Sequence, residues 1–112
     1  MTPEAQRITI AEACGWKRDE ICDNWKRNGE VAYCDGRSLH YRQIPDYLND
    51  LNAMREVEYE LRRSQIPEWE RHVRQITHRD GEDDSGLYER IIRATAAQRA
   101  EAFLRTIGKW TE

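Results

Sequence analysis

Residues Cys22–Cys34, with the sequence CDNWKRNGEVAYC, decide whether this chain contains a β-sheet. The central Asn28-Gly29 pair tolerates the positive φ angles of a type I′ turn, so the stretch predicts a β-hairpin. A second turn follows at Asp35-Gly36, and after it apolar and polar residues alternate as in a strand. The sequence therefore predicts a three-stranded antiparallel meander, with strands at Asn24–Arg27, Glu30–Cys34 and Arg37–Ile44.

The cysteines of this stretch raise two alternatives to a plain hairpin, a metal loop and a disulfide-closed loop. Structural zinc sites usually have about two to four residues between paired cysteines, whereas Cys14, Cys22 and Cys34 are much farther apart. With the turn at Asn28-Gly29, Cys34 faces Asp23, so the side chain of Cys22 points to the opposite face. We expect neither a metal site nor a disulfide, and the role of the cysteines beyond packing stays open.

Helical periodicity and capping residues dominate the rest of the chain. The predicted helices are one from the Thr2 cap to Gly15, a long one within Ile44–Arg63, a short one over Ile66–Ile76, and one from the Thr95 cap to Gly108. In the long helix, Glu58 and Arg62 have the spacing of an i,i+4 ion pair. The segment Leu87–Ala94 fits either a strand or a helical turn.

These elements predict an α+β fold, in which a short antiparallel β-meander packs with three to four α-helices. A chain of 112 residues has the length of one domain, so residues 1–112 are expected to form a single domain. The alternative is a mostly helical fold with the Asn28-Gly29 hairpin as its only sheet.

Charge and hydropathy limit the partners and the compartment. The chain has 21 acidic and 18 basic residues, a net charge of −3, which argues against nucleic acid as the partner. It has no apolar run of the roughly 18–20 residues that span a bilayer, and its first residues lack a secretory pattern. We therefore expect a cytoplasmic protein that does not enter membranes and keeps its cysteines as thiols.

Three stretches carry a family resemblance: MTPEAQRITIAEACGW (1–16), IPDYLNDLNAM (44–54) and ATAAQRAEAFLRTIGKW (94–110). They resemble a group of small bacteriophage and prophage proteins related to those with the phage ABA sandwich domain. The resemblance covers about half of the chain and implies helices on both faces of a small sheet. It also implies an accessory phage product in the host-cell cytoplasm, a class that is often involved in host interaction or counter-defence.

The best candidate for recognition is the predicted meander, where aromatic residues alternate with cations. Such a surface can stack on a base and neutralise a phosphate, or form the hot spot of a protein interface. The alternative is that Trp25 and Tyr41 pack in the core. We favour it because a small sheet needs apolar residues on one face to be stable. The candidate residues are Trp25, Lys26, Arg27, Tyr33, Arg37, His40, Tyr41 and Arg42.

No catalytic residues, cofactor or enzymatic activity are predicted. Cys34 and His40 are the nearest thiol and imidazole along the chain, but no third group or glycine-rich loop accompanies them. The first functional hypothesis is thus a non-enzymatic phage protein that binds a host protein, as an anti-CRISPR-like inhibitor does. The alternative is a small-ligand binder that sequesters a nucleotide signal of a host defence system, in a pocket formed across a homo-oligomer.

Overall fold

A computed structural model of the chain describes residues 1–18, 25–27, 44–78 and 87–112. These residues are mostly helical, which fits the alternative prediction more closely than a sandwich built on a meander. Their helices and strands are α1 (Pro3–Ala13), β1 (Trp16–Arg18), β2 (Trp25–Arg27), α2 (Leu51–Glu58), α3 (Ile66–Thr77), α4 (Leu87–Arg93) and α5 (Ala96–Thr106), with a 3-10 turn at Arg63–Gln65.

The two strands form an antiparallel ribbon that the sequence predicted only in part. In its register, Trp16 faces Arg27, Lys17 faces Lys26 and Arg18 faces Trp25. Strand β2 lies within the predicted strand 24–27, whereas β1 was not predicted. The predicted strand 30–34, residues 37–43 of the third strand, and the cysteines at positions 22 and 34 lie outside the described residues.

Helix α1 begins and ends as predicted. The hydroxyl of Thr2 accepts the N–H of Ala5 at 3.1 Å, and Pro3 occupies the first helical position. At the other end Gly15 has a φ of 89°, a left-handed conformation that costs glycine little and that turns the chain out of the helix. Cys14, just before it, is partly buried.

The prediction of a long helix within residues 44–63 is wrong, because the helix in this segment, α2, covers only Leu51–Glu58. Asp50 caps α2 by accepting the N–H groups of Asn52 and Ala53, so the helix cannot extend toward Pro45. At its C-terminal end the chain tightens, and the N–H of Leu61 donates to the carbonyl of Glu58 at 3.1 Å. This turn brings Leu61 into the core, where it is 9% exposed.

The predicted short third helix corresponds to α3, and the last predicted helix to α5. Thr95 and Gln98 form the expected capping box, with N–H to oxygen distances of 3.1 and 2.9 Å. The ambiguous segment Leu87–Ala94 is helical, and all of it except Ala94 belongs to helix α4.

Helix α5 is the centre of the core and packs against α1, α2 and α3. Its alanines let neighbouring helices approach closely, while its larger apolar side chains fill the space between them. The buried residues of α5 are Ala96, Arg99, Ala100, Ala102, Phe103, Leu104 and Thr106. The packing of α1 on this central helix fixes where the chain after Gly15, and hence the ribbon, must lie.

Candidate recognition groove

A groove of about 460 Å³ lies between α1 and the two-stranded ribbon, and its volume is within the range of ligand pockets. Helix α1 supplies one wall and the ribbon the other. The residues that line it are Ile8, Glu12, Trp16, Lys17, Arg18 and Trp25. We refer to this site as the Trp16–Trp25 groove.

Local geometry explains why these residues meet. Ile8 and Glu12 are one helical turn apart, so both project from the same side of α1. On the ribbon, Arg18 lies directly opposite Trp25, and residues opposite each other in an antiparallel pair share a face. Trp16 is two residues from Arg18 and therefore also lies on that face. The helix and one ribbon face thus enclose the groove.

The two tryptophans have different roles in the groove. Trp16 is only 6% exposed and belongs to the hydrophobic core, so it forms the floor. Trp25 is partly buried and packs against the core from outside, which leaves part of its surface for contact with a ligand. Ile8 is also partly buried and offers apolar surface on the α1 side.

Exposed charges surround this aromatic surface. Arg18 stands on the ribbon and Glu12 stands on α1, and both are exposed. Lys17 is exposed as well, but as the residue between Trp16 and Arg18 it projects from the opposite face of the ribbon. Neither Glu12 nor Lys17 forms an ion pair with another residue in the described part of the chain. The groove therefore combines a cationic side, an apolar interior and a carboxylate on the opposite wall.

The structure places some of the predicted recognition residues at this groove. Trp25 lines it, and the backbones of Lys26 and Arg27 form the rest of strand β2. The other predicted residues, at positions 33, 37, 40, 41 and 42, lie outside the described residues. The alternative role of Trp25 as a core residue is true in part, since it packs against the core while lining the groove.

Sequence reasoning missed the α1 wall and strand β1. One signal was present, because the tripeptide Trp-Lys-Arg occurs twice, at 16–18 and at 25–27. The two copies pair with each other about a local two-fold axis centred on Lys17 and Lys26. No comparable signal marked Ile8 or Glu12, whose place in the groove depends on the packing of α1 against β1.

A second cluster of charged and aromatic residues lies inside the helical core, around Arg99. One guanidinium nitrogen of Arg99 donates to both carboxylate oxygens of Glu58, at 3.0 and 3.1 Å, and another donates to the carbonyl of Ile91. The guanidinium also lies over the ring of Trp69, 5.8 Å from its centroid. We call this cluster the Arg99 bridge, because it links α5 to α2, α3 and α4.

The Arg99 bridge is electrostatically unusual. The side chain of Glu58 is 16% exposed and that of Arg99 is 6% exposed. Burial raises the pKa of the Glu58 carboxyl above its ordinary value, while Arg99 and, more weakly, Arg55 oppose this shift. Its contacts are all with neighbouring helices, so we interpret the bridge as a structural feature of the core.

No three His, Cys, Asp or Glu side chains in ranges 1–18, 25–27, 44–78 and 87–112 come together as metal ligands. None of the helices in that part of the chain has the length and apolar character to cross a membrane.

Comparison of the chain with protein-family models, with curated proteins and with solved structures finds no match.

Proposed function

We propose that this chain is a non-enzymatic phage accessory protein that binds a host protein through the Trp16–Trp25 groove. In this proposal it acts stoichiometrically in the host-cell cytoplasm, as a counter-defence inhibitor of the anti-CRISPR type. The phage setting comes from the resemblance of residues 1–16, 44–54 and 94–110 to small phage proteins related to the ABA sandwich group.

The observation that carries the proposal is the meeting of two tryptophans with the exposed side chain of Arg18 at one open site. Tryptophan and arginine are the residues most enriched in the hot spots of protein interfaces. A partly buried aromatic such as Trp25, held in place by the core, offers contact area at a small cost in conformational entropy.

The test is native mass spectrometry of the protein produced in a bacterial host and purified at low salt. We expect a complex of fixed stoichiometry with one host protein, and we expect Trp25→Ala to abolish it. Trp110→Ala is the matched control, because Trp110 is also a partly buried tryptophan packed on the core. Trp110 lies near the opposite end of α1, since the neighbouring Thr111 carbonyl accepts the Met1 ammonium at 2.9 Å.

Two results would contradict this proposal. A complex that survives Trp25→Ala would show that the groove is not the binding site. Turnover of a nucleotide or peptide by the purified protein that is lost in the Trp25→Ala variant would show that the protein is an enzyme, and the proposal of a non-enzymatic binding protein would be wrong.

A second candidate function is the sequestration of a nucleotide signal from a host defence system. The specific observation in its favour is the size and composition of the groove, about 460 Å³ with aromatic surface beside the cation of Arg18. A base can stack on an aromatic ring while cations neutralise its phosphate. Thermal denaturation with a panel of nucleotides tests this candidate, because a ligand that binds only the folded state raises Tm. A panel without any shift at millimolar concentration would exclude it.

A further inference from the structure

Two side chains of the Trp16–Trp25 groove, those of Trp25 and Glu12, have no charged partner within the described part of the chain. Glu12 is exposed on α1 and forms no ion pair there. Trp25 is partly buried, and none of the described cations lies over its ring. By contrast, Arg18 already interacts with another part of the chain, and Lys17 projects from the opposite face of the ribbon. The groove therefore offers a ligand an unpaired carboxylate and an aromatic surface.

Elsewhere in this chain, a glutamate and a tryptophan together hold an arginine side chain. The Arg99 bridge is one case, with its guanidinium 3.0 Å from a carboxylate oxygen and 5.8 Å from the centroid of a tryptophan ring. In α5, the guanidinium of Arg105 lies 3.5 Å from the carboxylate of Glu101 and 5.0 Å from the ring centroid of Trp110. A guanidinium suits both groups because it pairs with carboxylates through its planar fork and is attracted to the face of an aromatic ring.

We propose that the host protein places an arginine side chain in the Trp16–Trp25 groove, where its guanidinium lies against Trp25 and donates to the carboxylate of Glu12. This inference rests on the proposed binding of a host protein, and it adds the kind of side chain that the groove receives. A cavity of about 460 Å³ has room for that side chain, since pockets of this volume enclose whole drug-sized ligands. Arginine fits better than lysine, because an ammonium is more strongly hydrated and lacks the planar fork.

The experiment uses a probe in place of the unidentified host protein, a Gly-Arg-Gly tripeptide with blocked ends. It is titrated into the whole ¹⁵N-labelled protein at low salt while the indole N–H signals of the tryptophans are recorded. We expect the signal of Trp25, assigned by its loss in Trp25→Phe, to shift, and a tripeptide with norleucine in place of arginine to leave it unchanged. Glu12→Gln should weaken binding of the arginine tripeptide at least about fivefold, because a neutral amide loses the charge-assisted hydrogen bond.

Glu4→Gln is the matched control, because Glu4 is an exposed glutamate in the first turn of the same helix and does not line the groove. This variant should bind the arginine tripeptide as the wild type does. The inference is overturned if the Trp25 signal does not respond to this peptide, responds equally to the norleucine peptide, or responds unchanged in Glu12→Gln. A host complex that is lost in Trp25→Ala but unaffected by Glu12→Gln would also overturn it, and would leave the binding of a host protein at the groove in place.

Discussion

The Arg99 bridge and the Trp16–Trp25 groove are built from the same residue types, tryptophan, cation and carboxylate, but in opposite environments. In the bridge, the Arg99 side chain is 6% exposed and contacts Glu58, Ile91 and Trp69. In the groove, the cations are exposed and lie at an open cavity. Tryptophan, cation and carboxylate side chains therefore indicate a binding site only where the fold leaves them accessible to a ligand or partner.

The largest expected effect is the loss of stability on removing the buried cation of the Arg99 bridge. Removing an exposed cation at the groove provides the comparison. Arg99→Ala leaves the carboxylate of Glu58 buried without its partner, and the free energy of unfolding should fall by about 3–5 kcal/mol. Lys17→Ala removes an exposed cation, and the change should stay within about 0.5 kcal/mol. Urea denaturation followed by circular dichroism measures both. Similar losses for the two variants would remove the distinction between the regions.

The sequence predicted the helices whose ends are coded locally. The caps at Thr2 and Thr95, with Gly15 and Gly108 at the far ends, fix α1 and α5 through neighbouring backbone groups. The cap at Asp50 was equally local, but the apolar spacing of the whole segment suggested a longer helix. Where a periodic pattern and a capping side chain disagree, as they do before α2, the cap decides the start of the helix.

The Arg99 bridge could not be predicted from local spacing. Glu58 has Arg62 one turn ahead, yet it pairs with Arg99, 41 residues away, because α2 ends at Glu58 and Arg62 leaves the helix. The groove was predicted only through Trp25, for a related reason. Its second wall exists because α1 packs beside β1, a tertiary contact that neither the charge pattern nor the hairpin signal contains.

A smaller effect is expected at the start of α5, which carries Arg99 one turn after its cap. Thr95→Ala removes the oxygen that accepts the N–H of Gln98, so the free energy of unfolding should fall by about 1 kcal/mol. Thr95→Ser keeps the hydroxyl and should retain most of the stability. Binding at the groove should be unchanged in both variants. Weaker binding in Thr95→Ala alone would mean that the two regions are energetically coupled.

Ionic strength should affect ligand binding at the groove and the stability of the Arg99 bridge differently, and this can be measured without a substitution at the groove. Raising the salt from about 0.05 to 0.5 M shortens the Debye length several-fold, so ligand binding that uses Arg18 should weaken several-fold. The stability lost in Arg99→Ala should change little, because a buried pair is screened far less. Titration calorimetry and urea denaturation at the two salt concentrations provide the measurements. Binding that does not respond to salt would exclude a role for the groove cations in the affinity.

The smallest effect concerns pH and tests whether burial or attraction dominates at Glu58. Burial raises the pKa of this carboxyl above its ordinary value of 4.5, so the folded protein holds the proton more tightly than the unfolded chain. Glu58 therefore contributes most to the free energy of unfolding below about pH 4.5, and the contribution is lost as pH rises through the folded-state pKa. Glu58→Gln lacks this titration, so the stability of the wild type relative to the variant should decrease with rising pH. Glu4→Gln corrects for the general effect of removing a carboxylate. A relative stability that increases instead would mean that attraction to Arg99 outweighs burial, and that the bridge gains from its charges as an open ion pair does.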